Sequence, residues 1–467
     1  MKKPLLIFFF VIVAFVESVW ILKSEGFYYI DECAHYMYSR YIIDSIPLTP
    51  HTWHRPLPRW LFALPAQFGH EVSMFFAMVV FLWLLFITYR IAEIKGIKHA
   101  EWIVLLTGLQ PILFDLSYAV MAEMPTAFVL TLSYYYHIKG KHGWSLTIAS
   151  LLFLCRSEMY FFAILLFFIY LHKREWKILP LVALGPIIWI GASTIIKGNI
   201  QAFFKSWIHF SSLGKFIPGV SVTHYFANLQ TIFGYAQLGL FIAAVFFILR
   251  AKRSKEFGLL FATIATTLIF HTITGAEIFH ISASIGELRY IAAIGPLFGI
   301  VSTFGFSEIS ERIKLPWPSL IFYLTILSLV VFQCSIQTHP RRWAIYERIL
   351  LRMAYSIRSE HPKTMLLNNN CVVAYALDVP PTGTAYFSPL NKHTLQKYPE
   401  CLIFWDPFAS NSIFSQTELS KEKLLQDSTI QVLDRDNYWK AEYLLLYRNS
   451  KGMQHQNNDD NSSNFQN

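Results

Sequence analysis

The sequence predicts an α-helical polytopic membrane protein: about eleven transmembrane helices followed by a small C-terminal soluble α/β domain. Three observations carry the prediction. Only 15% of the 467 residues are charged and 54% are hydrophobic, whereas a soluble domain carries about a quarter charged residues. Apolar runs close to the ~20 residues of a membrane span recur along most of the chain. Short basic loops separate alternate runs, as the positive-inside rule requires. The mean hydropathy of +0.40 agrees.

The runs fall at about 4–22, 73–92, 100–115, 120–138, 144–156, 158–171, 178–196, 229–249, 257–275, 288–306 and 317–337. The first, "MKKPLLIFFFVIVAFVESVWIL", has the basic start of a signal peptide. Its apolar stretch is long and no small-x-small cleavage site follows, so a retained first helix is expected. The fifth and sixth runs are short, which fits tilted helices or helices packed within the protein.

Lys2 and Lys3 precede the first run. Arg90, Lys95 and Lys98 lie in one later loop, Lys139 and Lys141 in the next but one. Then come Lys173, Arg174 and Lys177, then Arg250, Lys252, Arg253 and Lys255, and last Arg312 and Lys314. All fall on one side if the count of runs is right, and that side is taken as cytoplasmic. The long connections, 23–72, 197–228, 276–287 and everything after 338, then share the opposite side. Residues 1–338 are expected to form the membrane domain and 339–450 a soluble non-cytoplasmic α/β domain. Residues 451–467 are expected to form a disordered polar tail. Within the soluble part, "RRWAIYERILLRMAYSIRSEH" has helical spacing; "TMLLNN", "CVVAYAL", "CLIFWD" and "AEYLLLYRN" are strand-like. A bacterial inner membrane, with the active site facing the periplasm or exterior, is the expected location.

The net charge of +9 is explained by the cytoplasmic anchors. With no dense basic stripe or recognition motif, nucleic-acid binding is excluded from the reading. Five cysteines, Cys33, Cys155, Cys334, Cys371 and Cys401, form no CxxC motif and no Cys/His cluster, so no zinc site is expected. Cys371 and Cys401 can pair only if the C-terminal part faces an oxidising compartment.

Ionisable residues gather on the non-cytoplasmic side. Asp31 and Glu32 follow the first run. "HTWHRPLPRWLFALP" supplies His51, Trp53, His54, Arg55 and Arg59 in a proline-shaped segment. Glu123 lies in "SYAVMAEMPTAF", Arg156 and Glu158 in "CRSEMYFF". "HTITGAEIFHISASIGELRYIAAIGP" carries His271, Glu277, His280, Glu287, Arg289 and Tyr290. Charges at membrane depth are costly and tend to be functional. Arginine suits a lipid-linked phosphate, and a carboxylate suits a proton taken from an attacking hydroxyl or a divalent metal on the phosphate. No cofactor beyond that metal is suggested. The histidines read as hydrogen-bonded or surface residues, not ligands. Plainer readings also exist: Arg55 and Arg59 as interfacial anchors, Glu123 as a helix-start acid, and Arg156 with Glu158 as a structural pair.

"YYIDECAHYMYSRYIIDSIPLTPHTWHRPLPRWLFALPAQFG" resembles the first external loop of the GT-C-fold glycosyltransferases. These enzymes depend on polyprenyl- or dolichyl-phosphate sugars and include protein O-mannosyltransferases and the bacterial aminoarabinose transferase. The acidic pair, the amphipathic stretch and "RPLP" at 55–58 carry the likeness. "AEMP" at 122–125 resembles the family's second acidic position, "CRSEMYFF" its arginine–acid turn, and "GELRYIAAIGPLFGI" its late arginine helix. Cys33-Ala34-His35 departs from the usual filler after the acidic pair. The resemblance covers about 1–340.

It implies transfer of a sugar from a polyprenyl-phosphate-linked donor to a lipid, glycan or protein acceptor. Asp31, Glu32 and Glu123 would be the catalytic group; Arg55, Arg156, Glu158, Arg289 and Tyr290 would bind the donor. The rival readings are a transporter or flippase of lipid-linked sugars and a non-catalytic membrane assembly protein. A transporter of that type shows internal repeats and acids near the bilayer midplane. No such repeat is visible here, and the acids noted above gather at one face.

Overall fold

A computed structural model describes residues 2–44, 55–201, 204, 220–276, 286–313, 316–361, 363–381, 387–388, 390–406, 419–438 and 441–449. His51, Trp53, His54, Glu277, His280 and the tail 451–467 lie outside the described residues. The chain divides into two compact units. One is Met1–Ser24 with Ile46–Arg341; the other is Glu25–Ser45 with Arg342–Asn467.

All eleven apolar runs are helical. In chain order the helices are α1 (Lys2–Lys23), α2 (Ile30–Tyr41), α3 (Pro56–Ala66), α4 (His70–Ile94), α5 (Ile103–Gly108), α6 (Pro111–Ser117) and α7 (Glu123–Ile138). Then follow α8 (His142–Ser150), α9 (Leu152–Cys155), α10 (Phe161–His172), α11 (Leu184–Lys197), α12 (His224–Ala227), α13 (Leu229–Phe233), α14 (Tyr235–Arg250) and α15 (Ser254–Gly275). The last long ones are α16 (Gly295–Ser310), α17 (Pro316–Gln337) and α18 (Ile345–Glu360), with α19 (Cys371–Leu377) after them.

Among the described residues six helices are long and apolar enough to cross a membrane. A seventh crossing is possible if the segment 100–117, bent by 77°, counts as one. The bend has a chemical cause: Pro111 opens α6 and cannot supply the amide that would continue α5. The amide of Gln110 donates instead to Thr107 O at 3.2 Å.

Burial sorts the spans of the first unit. The best apolar window of Leu288–Ser310 is 94% buried, whereas α1, Trp176–Lys197 and Trp317–Gln337 each bury only 22%. The former is the central span; the latter three turn most of their surface toward lipid. The central span admits close neighbours through glycine. A Cβ at Gly305 would collide with the Leu240 carbonyl of α14, and one at Gly299 with the Thr107 hydroxyl of α5. Phe298 stacks between Phe233 at 3.9 Å and Phe241 at 4.2 Å, filling the seam with aromatic surface.

The second unit holds a five-stranded sheet, order β2-β1-β3-β5-β4. The strands are β1 (Leu366–Leu367), β2 (Phe387–Ser388), β3 (Glu400–Trp405), β4 (Ile430–Tyr438) and β5 (Ala441–Asn449). β1 runs parallel to β2 and β3; β5 is antiparallel to β3 and β4. Alternation along β3 and β5 aims Cys401, Ile403, Trp405, Leu444 and Leu446 into one core with Leu367.

Two sequence expectations change here. "CVVAYAL" is helix α19, not a strand. Short apolar runs do not distinguish the two by periodicity, and the cap decides: the Asn370 side chain accepts from the Val372 amide. The segment 25–45, expected to belong with the external loop 23–72, packs as part of the second unit. Gly26 makes this possible, because a Cβ there would stand 2.8 Å from the Trp343 amide nitrogen. Phe27 fills the adjoining space between Trp343 (5.4 Å) and Tyr375 (5.0 Å).

Candidate active site

In the first unit, four separate elements bring their charged side chains to one cluster. Arg156 is the hub. It follows α9 in extended conformation (φ −147°, ψ 107°), before the 3-10 turn Ser157–Tyr160. The helical break frees its side chain to reach two partners. Nε donates to Glu158 Oε1 at 2.6 Å, and Nη1 donates to Glu123 Oε1 at 2.6 Å. These are short, charge-assisted bonds in the forked geometry only arginine offers. The guanidinium also lies 4.3 Å from the centre of the Tyr290 ring.

Glu123 opens α7, where a carboxylate also meets the positive end of the helix dipole. Arg289, in the 3-10 segment Leu288–Ile294 that leads into α16, approaches Glu123 Oε1 at 3.8 Å. Arg55 caps the start of α3 and approaches Glu158 at 3.6 Å; its Nη1 donates to the Ser157 hydroxyl at 3.4 Å. Its φ of 61° is a left-handed value that a non-glycine residue holds at a cost of about 1–3 kcal/mol. From this backbone position its side chain reaches Ser157 and Glu158.

The cluster is deeply desolvated: Arg156 is 7%, Arg289 5% and Glu123 3% exposed. Buried ions stay charged only when their partners are in place, so each side chain depends on the others. The expected residues Arg55, Glu123, Arg156, Glu158, Arg289 and Tyr290 are therefore brought together, from positions 55 to 290 of the chain.

Two buried ionisable residues of the first unit escaped the sequence reading in part, and His271 is the one beside the cluster. His271, on α15, is 1% exposed rather than a surface group. Its ring lies 5.7 Å from Tyr290 and 6.0 Å from Tyr225, and neither ring nitrogen has a hydrogen-bond partner among the described residues. Glu17 lies within α1, fully buried, so one acid does stand inside a helix. Its carboxyl oxygens also lack hydrogen-bond partners among the described residues; the nearby Ser117 hydroxyl donates to Phe114 O at 2.6 Å. The signal was a lone acid in the first apolar run.

Asp31 and Glu32 belong to the second unit, in the first turn of α2. Their side chains diverge. Glu32 is fully buried and accepts from the Tyr28 amide at 2.5 Å, closing the start of its own helix. Asp31 is half-buried.

Among the described residues no group of three His, Cys, Asp or Glu side chains could hold a metal ion. In the arginine cluster, Glu123 Oε1 and both oxygens of Glu158 face guanidinium groups. This donor set does not fit a divalent ion.

No family model matches the sequence, and no curated protein matches it. Solved structures do share its fold, among them two of ArnT from Cupriavidus metallidurans, one bound to undecaprenyl phosphate and one in the apo state. The first is 11% identical, with a TM-score of 0.62, over 95% of this chain and 98% of that one. The second is 13% identical, with a TM-score of 0.62, over 94% and 97%. The likeness runs through both units, and the GT-C fold expected from the sequence is the fold the chain has.

Proposed function

We propose that this chain, built on the fold it shares with ArnT, is an integral membrane glycosyltransferase. It moves a sugar from a polyprenyl-phosphate carrier to an acceptor on the non-cytoplasmic face. The observation that carries the reading is the convergence of Arg55, Arg156 and Arg289 on Glu123 and Glu158. Guanidinium forks held by buried carboxylates make a preorganised anion site. One of the structures with this fold was solved with undecaprenyl phosphate bound, which supports a lipid phosphate as the anion.

In the proposed reaction an acceptor hydroxyl attacks the sugar C1. The C1–O bond to phosphate breaks, and its electrons leave on the carrier phosphate, whose charge the arginines stabilise. Asp31 takes the hydroxyl proton. Glu32 supports Asp31 by holding the start of α2, and Glu123 and Glu158 orient the arginines. Tyr290 gives Arg156 a flat face to rest on. The sugar and the class of acceptor, lipid, glycan or protein, are what the assay must identify.

The test is release of free carrier phosphate from a panel of polyprenyl-phosphate sugars by the purified protein, wild type against Asp31→Asn. Sugar-dependent release by the wild type and loss in the variant are expected. A wild type that moves intact lipid-linked sugar across vesicles without releasing phosphate would replace this reading with a flippase.

A further inference from the structure

The second unit is assembled from two stretches of chain separated by the whole of the first, Glu25–Ser45 and Arg342–Asn467. Helix α2 of the early stretch lies along α19 of the late one, and contacts mark the register. At the start, Cys371 Sγ donates to the Ile30 carbonyl at 3.4 Å. Further along, the Tyr36 and Tyr375 rings meet at 5.9 Å. At the end, Arg40 bridges Asp378 at 2.8 Å, and the Tyr41 hydroxyl donates to Asp378 at 3.1 Å. Ile30, Cys33, Tyr36 and Arg40 lie three or four residues apart, on one face of α2. Cys371 and Tyr375 are likewise four apart on α19. Cys33 therefore stands between two contacts that both reach α19, one turn beyond Ile30, whose carbonyl accepts from Cys371.

We propose that Cys33 and Cys371 form a disulfide that staples the helix carrying Asp31 and Glu32 to the C-terminal part of its unit. The inference rests on the proposed placement of this unit on an oxidising, non-cytoplasmic side; it does not depend on the transferase activity. The pairing differs from the one open in the sequence, Cys371 with Cys401. Cys401 is committed elsewhere: it points from β3 into the hydrophobic core beside Ile403 and Leu446. Cys155 and Cys334 are buried in the first unit.

The chemistry balances with a thiol–disulfide oxidant, a protein or small-molecule disulfide. Cys371 is half-buried and the more accessible of the pair, whereas Cys33 is sealed. The Cys371 thiolate attacks the oxidant and forms a mixed disulfide; the oxidant leaves with one thiol. Cys33 then attacks the Cys371 sulfur and displaces the second thiol. Two protons and two electrons pass from the cysteines to the oxidant, and one S–S bond forms. Once α2 is docked, burial above all pushes the Cys33 thiol well above its ordinary value, with Cys371, Glu347 and Glu32 adding to the effect. The attacking thiolate is then scarce, so the bond is made as the unit assembles.

The experiment maps the thiols of the full chain. Membranes are acid-quenched, alkylated with N-ethylmaleimide under denaturing conditions and digested without reductant, and the peptides are identified by mass. The expected result is a Cys33 peptide linked to a Cys371 peptide, lost on reduction, with Cys155, Cys334 and Cys401 alkylated. Alkylation of both Cys33 and Cys371, or a Cys371–Cys401 link, overturns the proposal. As a second readout, Cys33→Ser, Cys371→Ser and the double variant should show one common fall in Tm, and reductant should bring the wild type to the same value. Separate, additive falls would mean that each thiol acts by packing alone. Thiol mapping needs no substrate, so its failure is distinguishable from failure of the glycosyltransferase reading.

Discussion

The guanidinium of Arg156 and the carboxylate of Glu123 meet at 2.6 Å, although 33 residues separate them in the chain. The contact joins the break after α9 to the first residue of α7, and Arg289 reaches the same oxygen at 3.8 Å. A buried pair of this kind is a weak source of net stability, but breaking it is costly because the remaining ion stays buried.

Arg156→Ala removes the shortest contact of both Glu123 and Glu158 and leaves them the longer ones to Arg289 and Arg55, so it is expected to destabilise by about 3 kcal/mol and to abolish transfer. Arg156→Lys is the more discriminating variant. A lysine carries the charge on one nitrogen and does not span two carboxylates in a fork. Expected are a smaller fall in Tm and transfer still near background. Thermal unfolding in detergent, alongside carrier-phosphate release, separates the two effects. Wild-type transfer by Arg156→Lys would show that the fork geometry is not needed.

Asp31 and Glu32 are adjacent but should not behave alike. Asp31→Asn keeps size and fold and removes the proposed base, so transfer should fall by about 10²–10⁴-fold at unchanged Tm. Glu32→Gln still offers an oxygen to the Tyr28 amide, so it should retain measurable transfer. Glu32→Ala removes that acceptor and should cost about 0.5–2 kcal/mol, the range of a lost helix-start bond. Equal losses in Asp31→Asn and Glu32→Gln would erase the proposed division of labour.

The second unit should show an acid-side gain in stability from Glu347. Burial is the main cause that raises its carboxyl above the ordinary value of 4.5, and nearby Glu32 adds to it; the Ala344 amide and the Tyr346 hydroxyl oppose it. A raised folded pKa means the fold binds this proton more readily than the unfolded chain. The cost of the ionised group is full above the folded value. It is relieved as pH falls through that value toward 4.5, where the unfolded chain takes up the proton too. Glu347→Gln keeps an acceptor without the charge. Its Tm should exceed that of the wild type near neutral pH, and the gap should narrow as pH falls through the raised folded value toward 4.5. A gap independent of pH would assign the effect to packing.

Much of this was legible in the sequence because bilayers impose a simple code. Run length placed the helices: each of the eleven runs contains helix, and six of the described helices, or seven with the bent segment 100–117, are long and apolar enough to cross a membrane. The same code underlies the arginine cluster: Arg55, Glu123, Arg156, Glu158 and Arg289 each sit at a break or a helix start, where polar residues interrupt apolar ones. Local pattern does not encode who pairs with whom across the chain. That Cys371 meets α2 and not Cys401 depends on the segment Glu25–Ser45 folding with residues about 300 or more positions away. The helix at "CVVAYAL" was hidden for a different reason: its apolar run is too short for periodicity to decide, and the deciding signal was a single asparagine cap. Strand β4 was missed because its sequence, "IQVLDRDNY", is mostly polar and lies at the edge of the sheet.

His271 supplies the sharpest test of whether the cluster is a binding site. A buried imidazole without hydrogen-bond partners costs about 1–3 kcal/mol, and among the described residues neither nitrogen of His271 has one. A purely structural position would be better served by a hydrocarbon ring. A phenyl ring would fit the same space beside Tyr225 and Tyr290, which hold the imidazole by tilted ring contacts. His271→Phe is therefore expected to leave Tm unchanged or raise it. If the ring nitrogens are kept for a donor hydroxyl or phosphate, KM for the polyprenyl-phosphate sugar should rise by about tenfold, the effect of one lost hydrogen bond in a dry site. Thermal unfolding and donor titration on the same preparation decide between the two roles. A lower Tm with unchanged KM would make His271 part of the packing, and the binding surface would then end at Tyr290.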